Sequence, residues 1–538
     1  MSQDPTPETP SQRLTHDSPR RLLYLILFGL LLFSVVLRVA LTFNRELDMD
    51  EFQHLHTTWM LSRHFLIYKD FWEPHTPLLY YLLLPLFHLF KEGPGLVLAA
   101  RTLLSFSAFG ILLMTYALAR LAHDRLTSLL AVVVLSFMVI FAQKSIEVRP
   151  DQPLVLTWLA SLWVSVRALS GGRKPSRFFW AGLILGVGFL FSPKALLPLG
   201  AMGLTLFVLV FLPGPRRSFV SFVKVECAYV FGFLVPVAAC FAYFYQLGTL
   251  REMFEYTLLE NFTFPHNVHP TYLLYLRNVC FLVLAFAGIF ARARRLRSAA
   301  RDERLIHLAL LLPTLFLLIV ILFFVAYPFP QVVLLFAPAL AIYGAEAFRD
   351  SLDRVLTPRQ SLETERHERL GTGVTNSLYL AGTVTAALVI PCVMLLLKDR
   401  PFAKTNAAQF HRMEFVLNLT RPEDAVFDGE ELYVFRPQAY FYGSLVEGVV
   451  WRIRQGQIGD DITQSLTNVR CKIVIYDARV AGLPTTVQLF IKSNYKPSAE
   501  PGVFLSKGAF DSGMKSVIEA ESSKQTSAED ARRKTSER

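Results

Sequence analysis

The chain has 538 residues, 53% of them hydrophobic and only 18% charged, against about 25% charged in a soluble domain. Several apolar runs reach the roughly 20 residues a membrane span needs, which excludes a soluble globular protein. The formal charge of +11 falls in short basic clusters between apolar runs, a topology pattern and not a nucleic-acid footprint.

Residues 1–19 are polar and rich in Pro, Ser and Thr, and read as a disordered N-terminus. Arg20 and Arg21 precede the first apolar run, Leu22 to Phe43, which sets the N-terminus in the cytoplasm. No small-residue cleavage pattern follows, so the run reads as a retained span. The stretch Asn44 to Thr76 then emerges on the outer side. Pro77 to Phe90 is too short to cross and reads as an interfacial or re-entrant helix.

Further spans are expected at about Leu96 to Ala119, Leu126 to Ala142, Pro153 to Leu169, Phe178 to Phe191, Ala195 to Leu212 and Phe222 to Tyr245. Four more follow, at Tyr272 to Phe290, Leu305 to Ala326, Val332 to Ala347 and Ser377 to Leu397, eleven in all with the first. In that register the loops on the N-terminal side carry Arg120 and Arg125, Arg173 to Arg177, Arg216 and Arg217, Arg292 to Arg304, and Arg349 to Arg359. Letting Pro77 to Phe90 cross would turn the Arg292 cluster outward, against the positive-inside rule.

Residues 20–397 thus form the transmembrane domain. Residues 398–510 are mixed in composition, like a small extracytoplasmic α/β domain. There Ala425 to Phe427 and Ile473 to Tyr476 read as strands, and Phe410 to Leu419 and Thr485 to Lys492 as helices. Residues 511–538 read as a disordered tail. Four of the five cysteines lie in apolar runs, so no disulfide framework is expected.

The outer face gathers the chemistry. Its first loop holds Asp48, Asp50, Glu51, His54, His56, Glu73 and His75, with Arg101 at the outer end of the next span. The second loop holds Lys144, Glu147, Arg149 and Asp151. Lys194 ends a later span, and Glu260 lies in the loop after Tyr245. Acidic groups at a membrane face are costly and so mark function by default. A carboxylate can act as general base on an incoming hydroxyl while cations hold a phosphate leaving group.

Simpler roles stand beside these. Asp50 with Gln53 fits an N-terminal capping box. Asp151 can begin a helix. Arg101 and Lys194 can be interfacial anchors. Asp50 and His54 share a helix face with His56 nearby, but spacing fixes no third ligand. No cofactor is therefore expected, a divalent metal being the weaker alternative.

The order of these pieces resembles the GT-C glycosyltransferases that use lipid-linked sugars, chiefly protein O-mannosyltransferases and bacterial aminoarabinose transferases of lipid A. The resemblance rests on Asp50-Glu51, on Phe71-Trp72-Glu73-Pro74-His75-Thr76-Pro77-Leu78-Leu79-Tyr80-Tyr81, and on Ala100-Arg101-Thr102. Glu147-Val148-Arg149-Pro150-Asp151 and Ser192-Pro193-Lys194-Ala195 complete it. Gln53 and His54 depart from the aminoarabinose pattern, which has Arg and Tyr there.

The resemblance implies a GT-C fold of about eleven spans plus interfacial helices. It implies inverting transfer of a monosaccharide from a polyprenyl-phosphate carrier to an extracytoplasmic glycan, lipid or protein. Asp50 would be the base, with Glu51 as its neighbour or substitute and Asp151 orienting sugar or acceptor. Arg101, Arg149 and Lys194 would face the phosphate, and His54, Glu73, His75 and Glu260 would contact substrate. The expected location is the inner (plasma) membrane. The rival readings are a polyprenyl-lipid transporter or flippase, and a catalytically inactive envelope scaffold.

Overall fold

The computed structural model describes residues 10–170, 172, 174–210, 219–260, 279–323, 330–356, 388–459 and 461–508. Helix α1 is Pro10–Asn44. It begins inside the stretch read as disordered, with a proline where a first turn tolerates one. Then follow α2 (Met49–Ser62), α3 (Leu78–Leu89), α4 (Pro94–Ala122), α5 (Arg125–Phe137) and α6 (Val139–Lys144). Next come α7 (Asp151–Ser170), α8 (Pro175–Phe191), α9 (Leu196–Val210) and α10 (Phe219–Gln246).

Among the described residues six helices are long and apolar enough to cross a membrane: Leu23–Asn44, Pro94–Ala122, Asp151–Ser170, Pro193–Val210, Phe219–Gln246 and Arg301–Ile321. The protein is a multi-pass membrane protein. The expected spans from Tyr272 and Ser377 enter the described residues only at Val279–Arg295 and Leu388–Leu397. The expected tail, 511–538, lies outside the described residues.

Two expected spans are broken. Leu126 to Ala142 divides at Met138 into α5 and α6. The Ser136 carbonyl accepts Arg38 Nη2 at 2.9 Å, so a charge on α1 satisfies a backbone group beside the break. Val332 to Ala347 opens as a 3-10 turn, Pro330–Leu335, before the helix Ala337–Leu356, with Pro338 in that helix's first turn. The short α3, with Pro85 inside it, packs on α2 and α4 at one end of the bundle.

Helices α8 and α10 touch backbone to backbone. A Cβ on Gly182 would lie 1.9 Å from the Tyr229 carbonyl oxygen, and one on Gly232 would lie 2.0 Å from that of Phe179. Gly182 and Gly186 are the small-xxx-small spacing that permits such an approach within a bilayer. The pair fixes where α8 ends and hence where Ser192 to Lys194 emerge.

The C-terminal region is a small α/β unit, as its composition suggests. Strands β1 (Val426–Phe427), β2 (Ile473–Ile475), β3 (Tyr495–Pro497) and β4 (Val503–Ser506) form one sheet in the order β1-β2-β4-β3. β1 and β2 are parallel, with Val426 opposite Ile473, and the other pairs are antiparallel. β3 and β4 were not legible in the sequence, because each is only three or four residues long, too short to show an alternating pattern. This unit does not stand apart. Phe52, Leu55 and Trp59 of α2 share one buried cluster with Met413, Val416, Tyr433, Val434 and Ile473. Gln409 exchanges two hydrogen bonds with the Leu47 backbone, and His56 Nδ1 bonds the Val434 carbonyl oxygen at 2.7 Å.

Candidate active site

Helix α2 starts two residues before the position expected. Its N-cap is Asp48, not Asp50. The Asp48 side chain accepts the Asp50 N–H, and the Asp48 N–H donates to Glu51 Oε1 at 2.9 Å, a reciprocal capping box. Gln53, expected to complete a box with Asp50, instead lies against Glu73. Asp50 is therefore in the first turn with no capping duty, its side chain 29% exposed.

Glu51 and Arg101 are both wholly buried and form a fork. Arg101 Nε donates to Glu51 Oε2 at 2.8 Å, and Nη2 to Oε1 at 2.6 Å. The other guanidinium N–H groups reach the carbonyl oxygens of Thr42, Arg45 and Glu46 at 3.2, 2.7 and 2.9 Å. Arg101 thus caps the end of α1 and ties it to α2. All five N–H groups are engaged, so the arrangement offers none to a phosphate. Glu51 also accepts the Val148 N–H, which brings the 145–150 loop to the start of α2.

Arg149 stands at the centre. Its Nη1 donates to Asp50 Oδ2, its Nη2 to Asp48 Oδ1 at 2.5 Å and its Nε to Glu147 Oε2 at 2.6 Å. Burial alone would lower its pKa, but Asp50, Glu147 and Asp48 raise it well above the usual value. Burial likewise pushes Asp48 up, yet Arg149 and Lys144 hold its carboxyl below the ordinary carboxylate range. Lys144 pairs with Asp48 and with both oxygens of Glu147, and Arg45 adds a further bond to Glu147. Sequence reasoning placed Asp48, Lys144 and Glu147 on this face but gave them no role. Nothing marked Arg45, whose partner is 102 residues away.

Asp151 opens α7, and its Oδ1 accepts Lys194 Nζ at 2.7 Å. Lys194 is 26% exposed and makes that single side-chain bond among the described residues. Asp151 lies within electrostatic reach of Arg149 and of His54, and its bond to Lys194 ties the start of α7 to the residues after α8.

Glu73 is a buried hub beside them. It accepts the His75 Nδ1–H at 2.7 Å, the His75 N–H at 3.0 Å and the Thr57 hydroxyl at 2.7 Å. Burial would raise its pKa, and these donors together with nearby His54 bring it below the usual value. His54 meets His75 edge to face at 4.7 Å, and its Nδ1 is 3.2 Å from the Tyr80 hydroxyl. Burial, then His75, keep His54 neutral, its pKa far below the ordinary one. His75, 25% exposed, keeps Nε2 free of bonds among the described residues. Glu260 has its two oxygens on Trp72 Nε1 at 2.8 Å and Arg452 Nη1 at 2.9 Å, so it braces the first loop to the C-terminal region.

This arrangement stands on a known frame. The structure superposes on that of ArnT from Cupriavidus metallidurans bound to undecaprenyl phosphate with a TM-score of 0.57. The match covers 89% of this chain and 97% of that one at 10% identity. The chain is built on the GT-C fold. An apo structure of the same ArnT matches with a TM-score of 0.53 at 13% identity, over 91% and 98% of the two chains. The oligosaccharyltransferase AglB from Archaeoglobus fulgidus, in complex with an inhibitory peptide and a dolichol-phosphate, also matches with 0.53 at 13% identity. That match spans 89% of this chain and 74% of AglB. In sequence, residues 74–242 fit the family described as dolichyl-phosphate-mannose-protein mannosyltransferase. No curated protein matches in sequence.

Proposed function

We propose that this GT-C protein transfers a monosaccharide from a polyprenyl-phosphate carrier to an acceptor hydroxyl on the outer side of the inner membrane. Asp50 carries the reading. One of its oxygens is held by a buried guanidinium, the carboxylate as a whole is partly open, and Lys194 and Asp151 sit in the same site. The GT-C frame supports it, as do the polyprenyl phosphates bound to ArnT and AglB.

The acceptor oxygen attacks C1 of the sugar and its proton passes to Asp50. The C1–O bond to the phosphate breaks, its electron pair leaves with the phosphate, and the anomeric configuration inverts. Lys194 has two N–H groups left for that phosphate. Arg149 is a positioning residue that holds Asp50. His75, oriented by Glu73, offers Nε2 to a sugar hydroxyl. Arg101, Glu51 and Glu260 brace the loops. The reaction so written uses no metal.

The test is Asp50→Asn in nanodiscs with radiolabelled polyprenyl-phosphate sugars. Loss of a general base lowers the rate by about 10²–10⁴. Stability should hold, because Asp50 is not the cap. Near-wild-type transfer by the folded variant would overturn the proposal.

A further inference from the structure

We infer that a cavity in the C-terminal region binds the acceptor and that this acceptor is an anionic saccharide. The inference rests on the transferase reading above. The cavity measures about 500 Å³, within the range of small-ligand sites. Its walls are Glu447, Val450, Trp451 and Arg454 of the helix Glu447–Arg454, and Ala478, Arg479 and Gly482 beyond β2.

The lining has the chemistry of a charged sugar. Trp451 is half-buried and gives a flat apolar surface with a polar edge, suited to the C–H face of a pyranose ring. Two guanidiniums flank it. Arg454 Nε bonds the Gly482 carbonyl oxygen at 2.7 Å and its Nη2 bonds the same oxygen, and among the described residues the Arg479 guanidinium hydrogen-bonds the Gly429 carbonyl oxygen and Met49 Sδ. Among the described residues neither forms a close ion pair, although Arg479 lies within electrostatic reach of Glu430 and Glu431, whereas Arg45, Arg101, Lys144, Arg149 and Lys194 each pair directly with a carboxylate. Planar guanidiniums are matched to carboxylate or phosphate groups. Glu447 adds an acceptor for sugar hydroxyls.

Position links this cavity to the base. Asp477 holds the turn, accepting the N–H groups of Arg479 and Val480 at 2.8 Å each and that of Gly429 at 2.8 Å. A Cβ on Gly429 would lie 2.6 Å from Arg479 Cβ, so glycine there lets the arginine lie close. Arg479 Nη2 then meets Met49 Sδ at 2.8 Å. Met49 stands between Asp48 and Asp50, so one side chain spans from cavity wall to the first turn of α2. A saccharide seated on Trp451 would extend from there toward Asp50.

The probe is trigalacturonic acid, with its neutral methyl ester as control, titrated by calorimetry into the full-length protein in phosphatidylcholine nanodiscs. The acid should bind at least tenfold more tightly than the ester. Trp451→Ala and the exposed Arg454→Gln should each weaken it at least tenfold at unchanged Tm, and Trp451→Phe should restore most of the affinity. A second set of nanodiscs carries monophosphoryl lipid A. Competition by that lipid at the same residues assigns a membrane-borne acceptor, and its absence alongside tight acid binding assigns a free glycan. Equal affinity for acid and ester, affinity indifferent to the variants, or binding of neither acid nor lipid overturns the inference. Binding is read without donor, so it fails or stands apart from the Asp50→Asn result.

Discussion

Replacing Arg101 by Met tests whether the buried fork is a brace. Met keeps the unbranched apolar stem of the side chain and removes all five donors. Glu51 is then a fully buried carboxylate whose remaining hydrogen bonds come from the Asp48 and Val148 N–H groups. Three carbonyls at the end of α1 lose their partner as well. Breaking one side of a buried ion pair costs about 3–5 kcal/mol. The two surviving donors to Glu51 favour the lower end, and of the stranded carbonyls those of Arg45 and Glu46 are only part-buried and add little. In a chain of 538 residues a loss of about 3 kcal/mol corresponds to a Tm fall on the order of 3 °C. Glu51→Gln strands the guanidinium instead and should cost a similar amount. The double variant removes both charges and should cost less than the sum of the two, by about 2–3 kcal/mol of coupling. Asp50→Asn, at a partly exposed first-turn position, should cost under about 1 kcal/mol. Thermal unfolding of the purified proteins in one detergent measures all four. Additive single effects, or an Arg101→Met variant as stable as wild type, would refute the brace and return Arg101 to the substrate.

Acid should destabilise the protein partly through His56, which burial holds at about 4, against 6.5 unfolded. As pH falls through that window the unfolded chain takes up a proton that the native His56 refuses, a loss on the order of 3 kcal/mol that His56→Gln should abolish in a Tm series from pH 7 to pH 4. Lys194→Gln should weaken undecaprenyl phosphate binding roughly 10–100-fold, the worth of a charged hydrogen bond, and unchanged affinity by native mass spectrometry would remove Lys194 from the phosphate site. In a cysteine-less background, Gln455→Cys should react with an impermeant thiol reagent in spheroplasts while Ser298→Cys stays unlabelled. The reverse pattern would invert the orientation drawn from the loop charges.

Features that repeat a physical rule along the chain were legible in the sequence. Apolar length gave the helices, and charge asymmetry gathered Asp50, Arg149, Asp151 and Lys194 on one face before any contact was known. Roles within that face were not legible. Asp48 and Asp50 are equally good caps by residue type, and only the approach of Glu51 decides for Asp48. Arg101 resembled an anchor or a phosphate ligand because backbone carbonyls, its main partners, leave no trace in a sequence. The breaks at Met138 and Phe336 were missed for a related reason: hydropathy averages across a break that a distant arginine or a local proline accommodates. Docking of the C-terminal unit onto α2 depends on contacts about 380 residues apart, such as His56 with Val434.

The dependence of Arg101 on main-chain oxygens also bears on divergence. Any amino acid presents a carbonyl, so the residues at positions 42 and 46 can change identity without loosening the joint between the first two helices. A joint of that kind asks for one arginine, one glutamate and a chain path, and leaves the intervening letters free to drift. Frames assembled from such joints would keep their shape long after their spelling had parted, which accords with a shared architecture at 10–13% identity.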